Sequence, residues 1–274
     1  MNWLAVSVRS NGAERAAVVN ALFAAGSRAV EEVGDDLRTY LPAGTDPNPI
    51  LRAVAAVSPS ARVDVSEVAL ADWDNAWRDQ LTVQRTGRIA VAPPWLADGL
   101  DADSTVVVEP GMAFGTGHHA TTRGALRLLS AVVRPGDRVA DLGAGSAVLA
   151  IAAAKLGAEN VAAIELDPDA IGNAEANVRA NGMTGRVMVL LGDAAVLLPL
   201  VAPVRLVLAN IVAPVLLSLL PAAGGALTAD GQAVVGGIPT DERASFVSAI
   251  QDAGWRVEAE DREETWWSAV IARR

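Results

Sequence analysis

The densest chemical signal in the chain is Asp141-Leu-Gly-Ala-Gly-Ser146, followed 22 residues after Gly143 by an acid at Glu165. Apolar residues lead into Asp141, and an alanine-rich run from Val148 to Leu156 follows, which reads as a strand, a tight turn and a helix. Gly143 and Gly145 let a backbone turn lie against a ligand, and the helix N-terminus points its amide dipoles at that ligand. Two kinds of nucleotide-like cofactor use such a turn. Asp141 helps to separate them. At the strand exit its carboxylate repels a pyrophosphate and attracts the ammonium of a methionine-like group. The dinucleotide fingerprint also wants a third glycine where Val148 stands. The pattern therefore favours S-adenosylmethionine over a nicotinamide dinucleotide, the competing reading.

Glu165 closes the second strand pattern at the spacing expected of a ribose-binding acid, and its carboxylate can accept from both ribose hydroxyls. Asp167 competes for that role, but it precedes Pro168 and suits the cap of the next helix. Asp193 follows the third strand, where either an adenine contact or a helix cap is expected. Asn210 ends the fourth strand. It reads either as an amide oxygen orienting an incoming amine or as a turn residue bonding its own backbone.

A second cluster is Glu109-Pro-Gly-Met-Ala-Phe-Gly-Thr-Gly-His-His-Ala-Thr-Thr122. Gly111, Gly115 and Gly117 open conformations closed to other residues, and Thr116, Thr121 and Thr122 add hydroxyls. A loop of this kind before a helix wraps a ligand. His118 and His119 are the chain's two histidines. Being adjacent they share no helix or strand face, which argues against a metal pair and for a structural or substrate-positioning role.

The elements that must position these groups follow from hydrophobic period. The chain has 274 residues, 51% of them apolar, so one large domain or a large and a small one can form. Strand patterns at Val139–Leu142, Val161–Leu166, Val187–Leu191, Leu206–Ala209 and Ala233–Gly236 alternate with helical stretches. Two more, Trp255–Ala259 and Trp266–Ile271, are joined by a short acidic turn. This predicts an α/β fold: a Rossmann-like, doubly wound, seven-stranded sheet ending in an antiparallel hairpin. Asp141, Glu165 and Asn210 all fall at strand carboxyl ends, where such sheets bind ligands.

Residues 1–67 read as a separate small α+β unit of order βαββαβ, a ferredoxin-like domain. Its strands are expected at Trp3–Val8, Arg28–Val33, Asp36–Leu41 and Arg62–Val68. One helix is capped by Ser10 or Asn11, and the other starts at Asp46-Pro47 with Ile50, Leu51, Val54 and Val57 on one face. Residues 68–84 are expected to form a linker helix with Trp73 and Trp77 one turn apart, and 85–274 the larger domain. Two strands, Arg85–Val91 and Ser104–Glu109, flank the Pro93-Pro94-Trp95 turn.

A net charge of −10 makes a nucleic-acid backbone an unfavourable partner and a basic protein a favourable one. No cysteine is present, which excludes disulfides, thiolate nucleophiles and zinc clusters built on thiolates. Neither a signal peptide nor an apolar run long enough to span a membrane is legible, so a cytoplasmic location is expected.

Taken together, the Glu109–Thr122 loop, Asp141-Leu-Gly-x-Gly-Ser146, Leu149-Ala-Ile-Ala-Ala-Ala-Lys-Leu-Gly-Ala158, Asp167-Pro168, Ala174-Glu-Ala-Asn177 and Ala209-Asn-Ile-Val-Ala213 resemble the PrmA family. The Trp73/Trp77 segment, Ala92-Pro-Pro-Trp95 and Trp266-Trp267 extend the resemblance over nearly the whole chain. It implies methylation of lysine side chains and an N-terminal α-amine of large-subunit ribosomal protein L11, several methyls in all, from S-adenosylmethionine. It also implies cofactor contact from Thr122, Gly143, Glu165 and Asn210, and a small N-terminal domain that recognises the substrate and moves on a linker. Two positions depart from the family's pattern: Ala147 stands where glycine is usual, and Glu165 where aspartate is usual.

Methyl transfer from a sulfonium is an in-line displacement that depends mostly on alignment. Asn210 and nearby carbonyls are expected to hold the amine, and Phe114 to shield the sulfonium. No histidine or carboxylate is obviously placed as a general base. A monomer is expected. The alternative is a methyltransferase of the same architecture acting on another protein's lysines; a nicotinamide-dependent oxidoreductase and a non-catalytic ribosome-binding module stand further off.

Overall fold

A computed structural model describes residues 2–11, 14–27, 30–33, 36–42, 44–69, 81–110, 115 and 117–274. The chain divides into two compact units, Met1–Gln80 and Leu81–Arg274. The division falls inside the segment expected to be a linker helix, whose Trp73 and Trp77 lie outside the described residues.

In the first unit β1 (Asn2–Arg9), α1 (Arg15–Ala24), β2 (Glu31–Val33), β3 (Asp36–Pro42), α2 (Asn48–Val57) and β4 (Arg62–Ala69) follow in order. Their sheet has the order β2-β3-β1-β4 and is antiparallel throughout. Alternation along β1 and β3 sends Val6, Val8, Leu37 and Leu41 into a core with Val18, Leu22, Ile50 and Val54 from the two helices. Asp46 does start α2: its Oδ1 accepts from the Asn48 N–H at 3.0 Å. Val57, expected on the buried face of α2, is exposed. The first helix begins later than Ser10 or Asn11 suggested. Its N-cap is Glu14, whose side chain does not cap it.

The second unit opens with β5 (Gln84–Thr86), β6 (Ile89–Ala92) and β7 (Thr105–Val107), a three-stranded sheet of that order. The single strand expected over Arg85–Val91 is instead a tight hairpin. Gly87 reverses the chain with φ +60°, and a Cβ there would come within 2.5 Å of the Ser130 hydroxyl.

After α3 (Ala120–Val132) comes the alternation read from the sequence: β8 (Arg138–Leu142), α4 (Val148–Lys155), β9 (Asn160–Glu165), α5 (Pro168–Ala180), β10 (Val187–Leu191), α6 (Ala194–Val201), β11 (Val204–Asn210), α7 (Ala213–Ala226), β12 (Leu227–Pro239), α8 (Arg243–Asp252), β13 (Trp255–Glu263) and β14 (Trp266–Arg273). The seven strands order as β10-β9-β8-β11-β12-β14-β13, parallel but for β14, which is antiparallel to both neighbours. The order reverses between β8 and β11, and this switch point opens a crevice at the carboxyl edge. The alanine run of α4 has a packing reason. From Val148 to Ala154 every side chain is buried, and small residues let the helix lie close to its neighbours on all sides.

At the opposite edge, the amino ends of the strands are tied by an ion pair that water barely reaches. Arg205 Nε and Nη2 donate to the two oxygens of Asp137 at 2.8 and 2.7 Å, and Nη2 also donates to the Val132 carbonyl at 2.6 Å. Asp137 additionally accepts from the Arg134 N–H at 2.8 Å. Both side chains are over nine-tenths buried. Removing one partner leaves the other's charge buried and uncompensated. Arg205→Leu is therefore expected to destabilise the second unit by about 3–5 kcal/mol in chemical denaturation. A loss below about 1 kcal/mol would show that the pair is not a structural pin.

Candidate functional site

The turn after β8 is made of backbone that most residues avoid. Gly143, Gly145 and Ala147 have φ of +70°, +52° and +63°. A Cβ on Gly143 would lie 2.6 Å from Ile211 Cγ2, so glycine is required there for space as well as for conformation. The Gly143 and Ala144 N–H groups both donate to the Ile164 carbonyl, at 2.9 and 3.1 Å. Glu165 then clasps the turn: Oε2 accepts from Gly145 N–H at 2.8 Å, and Oε1 from Leu166 and Asp167 N–H at 2.8 and 2.9 Å. Oε1 thus has both its acceptor sites used and Oε2 keeps one, on a residue that lines the cavity.

Asp141 does something other than the sequence suggested. It is 1% exposed and sits beneath the turn, off the cavity wall. Its Oδ2 accepts from the Ala150 N–H at 3.0 Å. Ala147 is the N-cap of α4 and has no side chain that can cap, so Asp141 supplies the cap from the preceding strand. Burial, joined by the nearby Glu165 charge, pushes its carboxyl up to about 7, against the opposing effect of the Ala150 N–H.

The second wall comes from the glycine-rich loop and α3. Ser146 Oγ donates to the Gly115 carbonyl at 2.8 Å, fastening loop to turn. Asn177 and Asn181, one helical turn apart on α5, stitch the segment before the loop. Asn181 meets both the N–H and the carbonyl of Val107, as a neighbouring strand would. Asn177 accepts from Glu109 N–H at 2.9 Å and donates to the Ser146 carbonyl at 3.0 Å. Phe114, Gly111 and Thr116 lie outside the described residues. His118 turns toward Thr82, its Nε2 being 3.1 Å from the backbone N, while its carbonyl accepts from Arg123.

His119 caps α3, Nδ1 accepting from the Thr121 N–H at 3.3 Å, with the Thr121 hydroxyl 2.8 Å away. Thr121 Oγ1 in turn accepts from Asn210 Nδ2 at 3.3 Å, and Thr122 Oγ1 lies 3.5 Å from the same nitrogen. Thr122, expected at the cofactor, is fully buried behind Thr121, and Thr121 is the one on the wall. Asn210 Oδ1 is buried with no hydrogen-bond partner among the described residues. The His119 ring meets Trp266 edge to face, with centroids 5.0 Å apart and planes at 63°.

These groups surround one cavity of about 690 Å³ at the switch point. Gly143, Gly145, Glu165, Asp193 and Asn210, expected at the site, all line it. Asp193 both lines the cavity and caps α6, accepting from Ala195 N–H at 2.8 Å. Asp167, read as a cap, does cap α5, accepting from Asp169 N–H at 2.9 Å. Trp266 escaped the sequence reading. The available signal was strand alternation, which sends adjacent Trp266 and Trp267 to opposite faces; Trp267 fills the core and Trp266 reaches the cavity.

The chain is similar to known proteins over most of its length. The family described as ribosomal protein L11 methyltransferase (PrmA) matches residues 5–274. A protein of that name from Pelotomaculum thermopropionicum is 40% identical over 245 residues, covering 86% of this chain and 79% of the relative. One from Bacillus cereus is 37% identical over 217 residues, covering 78% and 69%. The solved structure of a ribosomal protein L11 methylase from Lactobacillus delbrueckii subsp. bulgaricus is 31% identical with a TM-score of 0.61, covering 71% of this chain and all of that one.

Two expectations follow from the turn. Asp141 ordinarily titrates near 3.8 and is raised to about 7 when folded, so the folded state holds the extra proton between those values. The stability this supplies is complete below about pH 4 and lost as pH rises toward 7. Asp141→Asn, which does not titrate, should therefore gain stability relative to the parent as pH rises from 4 to 7 in denaturation curves; a flat difference would refute the assignment. At Ala147, left-handed backbone costs an L-residue roughly 1–2 kcal/mol. Glycine would remove that strain but lose a buried methyl, about 0.8 kcal/mol, and gain unfolded-state entropy. Ala147→Gly should thus stay within about 1 kcal/mol of the parent, whereas Ala147→Val should cost at least ~2 kcal/mol. Equal effects of the two in denaturation would sink this account.

Proposed function

The chain belongs to the ribosomal protein L11 methyltransferase family, and from that premise we infer that the switch-point cavity binds S-adenosylmethionine and the target amine side by side. The reading rests above all on Asn210: a buried amide oxygen with no hydrogen-bond partner among the described residues, on a residue that lines the same cavity as the glycine turn and Glu165. Buried polar atoms are rarely left unpaired, so an orphan of this kind marks where a ligand donor belongs.

The residues present suit the cofactor. Gly143 and Gly145 leave room for close approach to backbone, the remaining acceptor site on Glu165 Oε2 suits a ribose hydroxyl, and Leu166, Ala170, Asp193 and Ala194 offer an apolar slot with one polar edge for a purine. When bound, S-adenosylmethionine supplies an electrophilic methyl group on a positively charged sulfur. The chain does the rest. An amine must be neutral to attack, and for an ordinary lysine at pH 7 losing the proton costs about 4–5 kcal/mol. Burial in this cavity, next to a positive sulfur, lowers that cost. Asn210 Oδ1 can then accept from the remaining N–H and aim the lone pair, while the Thr121 and Thr122 hydroxyls hold its amide in plane.

The substrate we propose is ribosomal protein L11, the protein named in the relatives' activities, with the first unit as its recognition module and Phe114 as a shield over the sulfur. The acidic chain suits a basic protein substrate better than a nucleic acid. Among the described residues no helix is long and apolar enough to cross a membrane.

Incubating the purified chain with S-adenosylmethionine and ribosomal protein L11 should add whole methyl masses to the protein, read by intact-mass spectrometry. Asn210→Ala should lower kcat by about 100-fold, the scale of a misaligned nucleophile. Full activity together with full cofactor affinity in that variant would remove Asn210 from the mechanism.

A further inference from the structure

Trp266 has no assigned part in the chemistry above, yet it lines the cavity with His119 and Asn210. Its position is fixed by register. Trp266 pairs with Pro239 and Trp267 with Ile238, and Trp267 is locked in the core, so the adjacent indole is driven to the other face of β14. The His119 and Trp266 rings meet edge to face at 63° rather than forming a stack. A continuous chain of contacts runs from Trp266 through His119 and Thr121 to Asn210. The carboxylates that line the cavity, Glu165, Asp167 and Asp193, follow β9 and β10 on the far side of β8, and Glu263, opposite Trp266 in the hairpin, is neutralised by Arg123 and Arg127.

We propose that Trp266 is a positioning residue that lets one amine be methylated more than once, by offering an aromatic face to the alkylated ammonium. This rests on reading the cavity as the amine-methylation site. The physical ground is the difference between a hydrogen-bonding and an aromatic binding surface. Asn210 has one free acceptor and recognises an N–H, of which each transfer leaves fewer. An indole face attracts the cation without counting its N–H groups, and added methyls bury more apolar surface against it. In each transfer the lone pair of the neutral amine forms the new N–C bond as the S–C bond breaks and its electrons return to sulfur. The amine's proton has by then gone to solvent. Between transfers the product is a methylated ammonium that must be held and turned, and the His119–Trp266 corner is the surface suited to hold it.

The test uses the full chain with S-adenosylmethionine and ribosomal protein L11, following methyl states of single residues by peptide mass spectrometry over time. The parent should pass from one to two or more methyls on one amine, and Trp266→Phe, which keeps an aromatic face, should do the same. Trp266→Leu should raise the KM for the first transfer and slow later transfers at least tenfold more than the first, so that the singly methylated product accumulates. Calorimetric cofactor binding by Trp266→Leu shows that the variant is folded. The inference is overturned if Trp266→Leu gives the parent's methyl distribution at equal total transfer. It is equally overturned if Trp266→Phe stalls like Trp266→Leu, or if the parent stops at one methyl. A parent that adds no methyl at all would instead overturn the proposed function on which the inference stands.

Discussion

Everything at the cavity depends on holding the Gly143–Ala147 turn in left-handed backbone. A turn with three positive φ values within five residues has no regular ladder to satisfy its amides. It is held instead by bonds from four separate elements. Ile164 and Glu165 of β9 take three of its N–H groups, Asp141 of β8 takes the Ala150 amide in the first turn of α4, Asn177 of α5 takes the Ser146 carbonyl, and Ser146 reaches out to Gly115. Each bond is worth only about 1 kcal/mol net, but losing one leaves a buried group unpaired. The cofactor cradle is thus over-determined from its surroundings, which is how strained backbone persists at a binding site.

This explains why Asp141 and Glu165 divide their labour. Both are acids at strand ends, and both could face a ligand by position alone. Asp141 is the shorter reach from β8 and lies under the turn, where its carboxyl is kept high by burial and serves the helix end. Glu165 approaches from β9 at the rim, partly exposed, and its extra methylene relative to aspartate lets one oxygen reach back to Gly145 while the other meets Leu166 and Asp167. The lengthened side chain therefore braces the turn from the ligand's side. Ala147 is accommodated in the same frame, because its methyl is buried and its missing cap is supplied by Asp141.

The seven-stranded sheet was legible because most of its strands are short apolar-rich runs with glycine, proline or acid nearby, separated by stretches long enough for helices. Glu165 and Asn210 were legible because a polar residue closing an apolar strand has no packing reason to be there. Other features were hidden for identifiable reasons. The Arg85–Val91 run looked continuous because a lone Gly87 between Thr86 and Arg88 does not announce a hairpin. Thr121 and Thr122 are neighbours, and only the helix phase set by the His119 cap decides which faces the cavity. The bond from the Ala150 N–H to Asp141 was hidden because sequence gives a residue's position along a strand but not which neighbour its side chain meets. The roles of Asn177 and Asn181 were hidden because their partners at Glu109 and Val107 are some 70 residues away in the chain.

The antiparallel strand β14 settles how three distant segments make one corner. In a parallel sheet every strand reaches the ligand edge with its carboxyl end, so only residues such as Asn210 that close a strand can line the crevice. Reversing β14 brings its first residue to that same edge, beside the end of β12. Trp266 can then be presented by the start of a strand whose next residue is anchored in the core, which is a stiffer mount than a loop. His119 arrives from the start of α3, also at that edge, its imidazole held by the helix it caps. A rigid aromatic corner opposite a glycine-rich turn is therefore a consequence of strand direction. The parallel half of the sheet provides a place for the nucleotide, and the reversed strand provides a wall for whatever is brought to it.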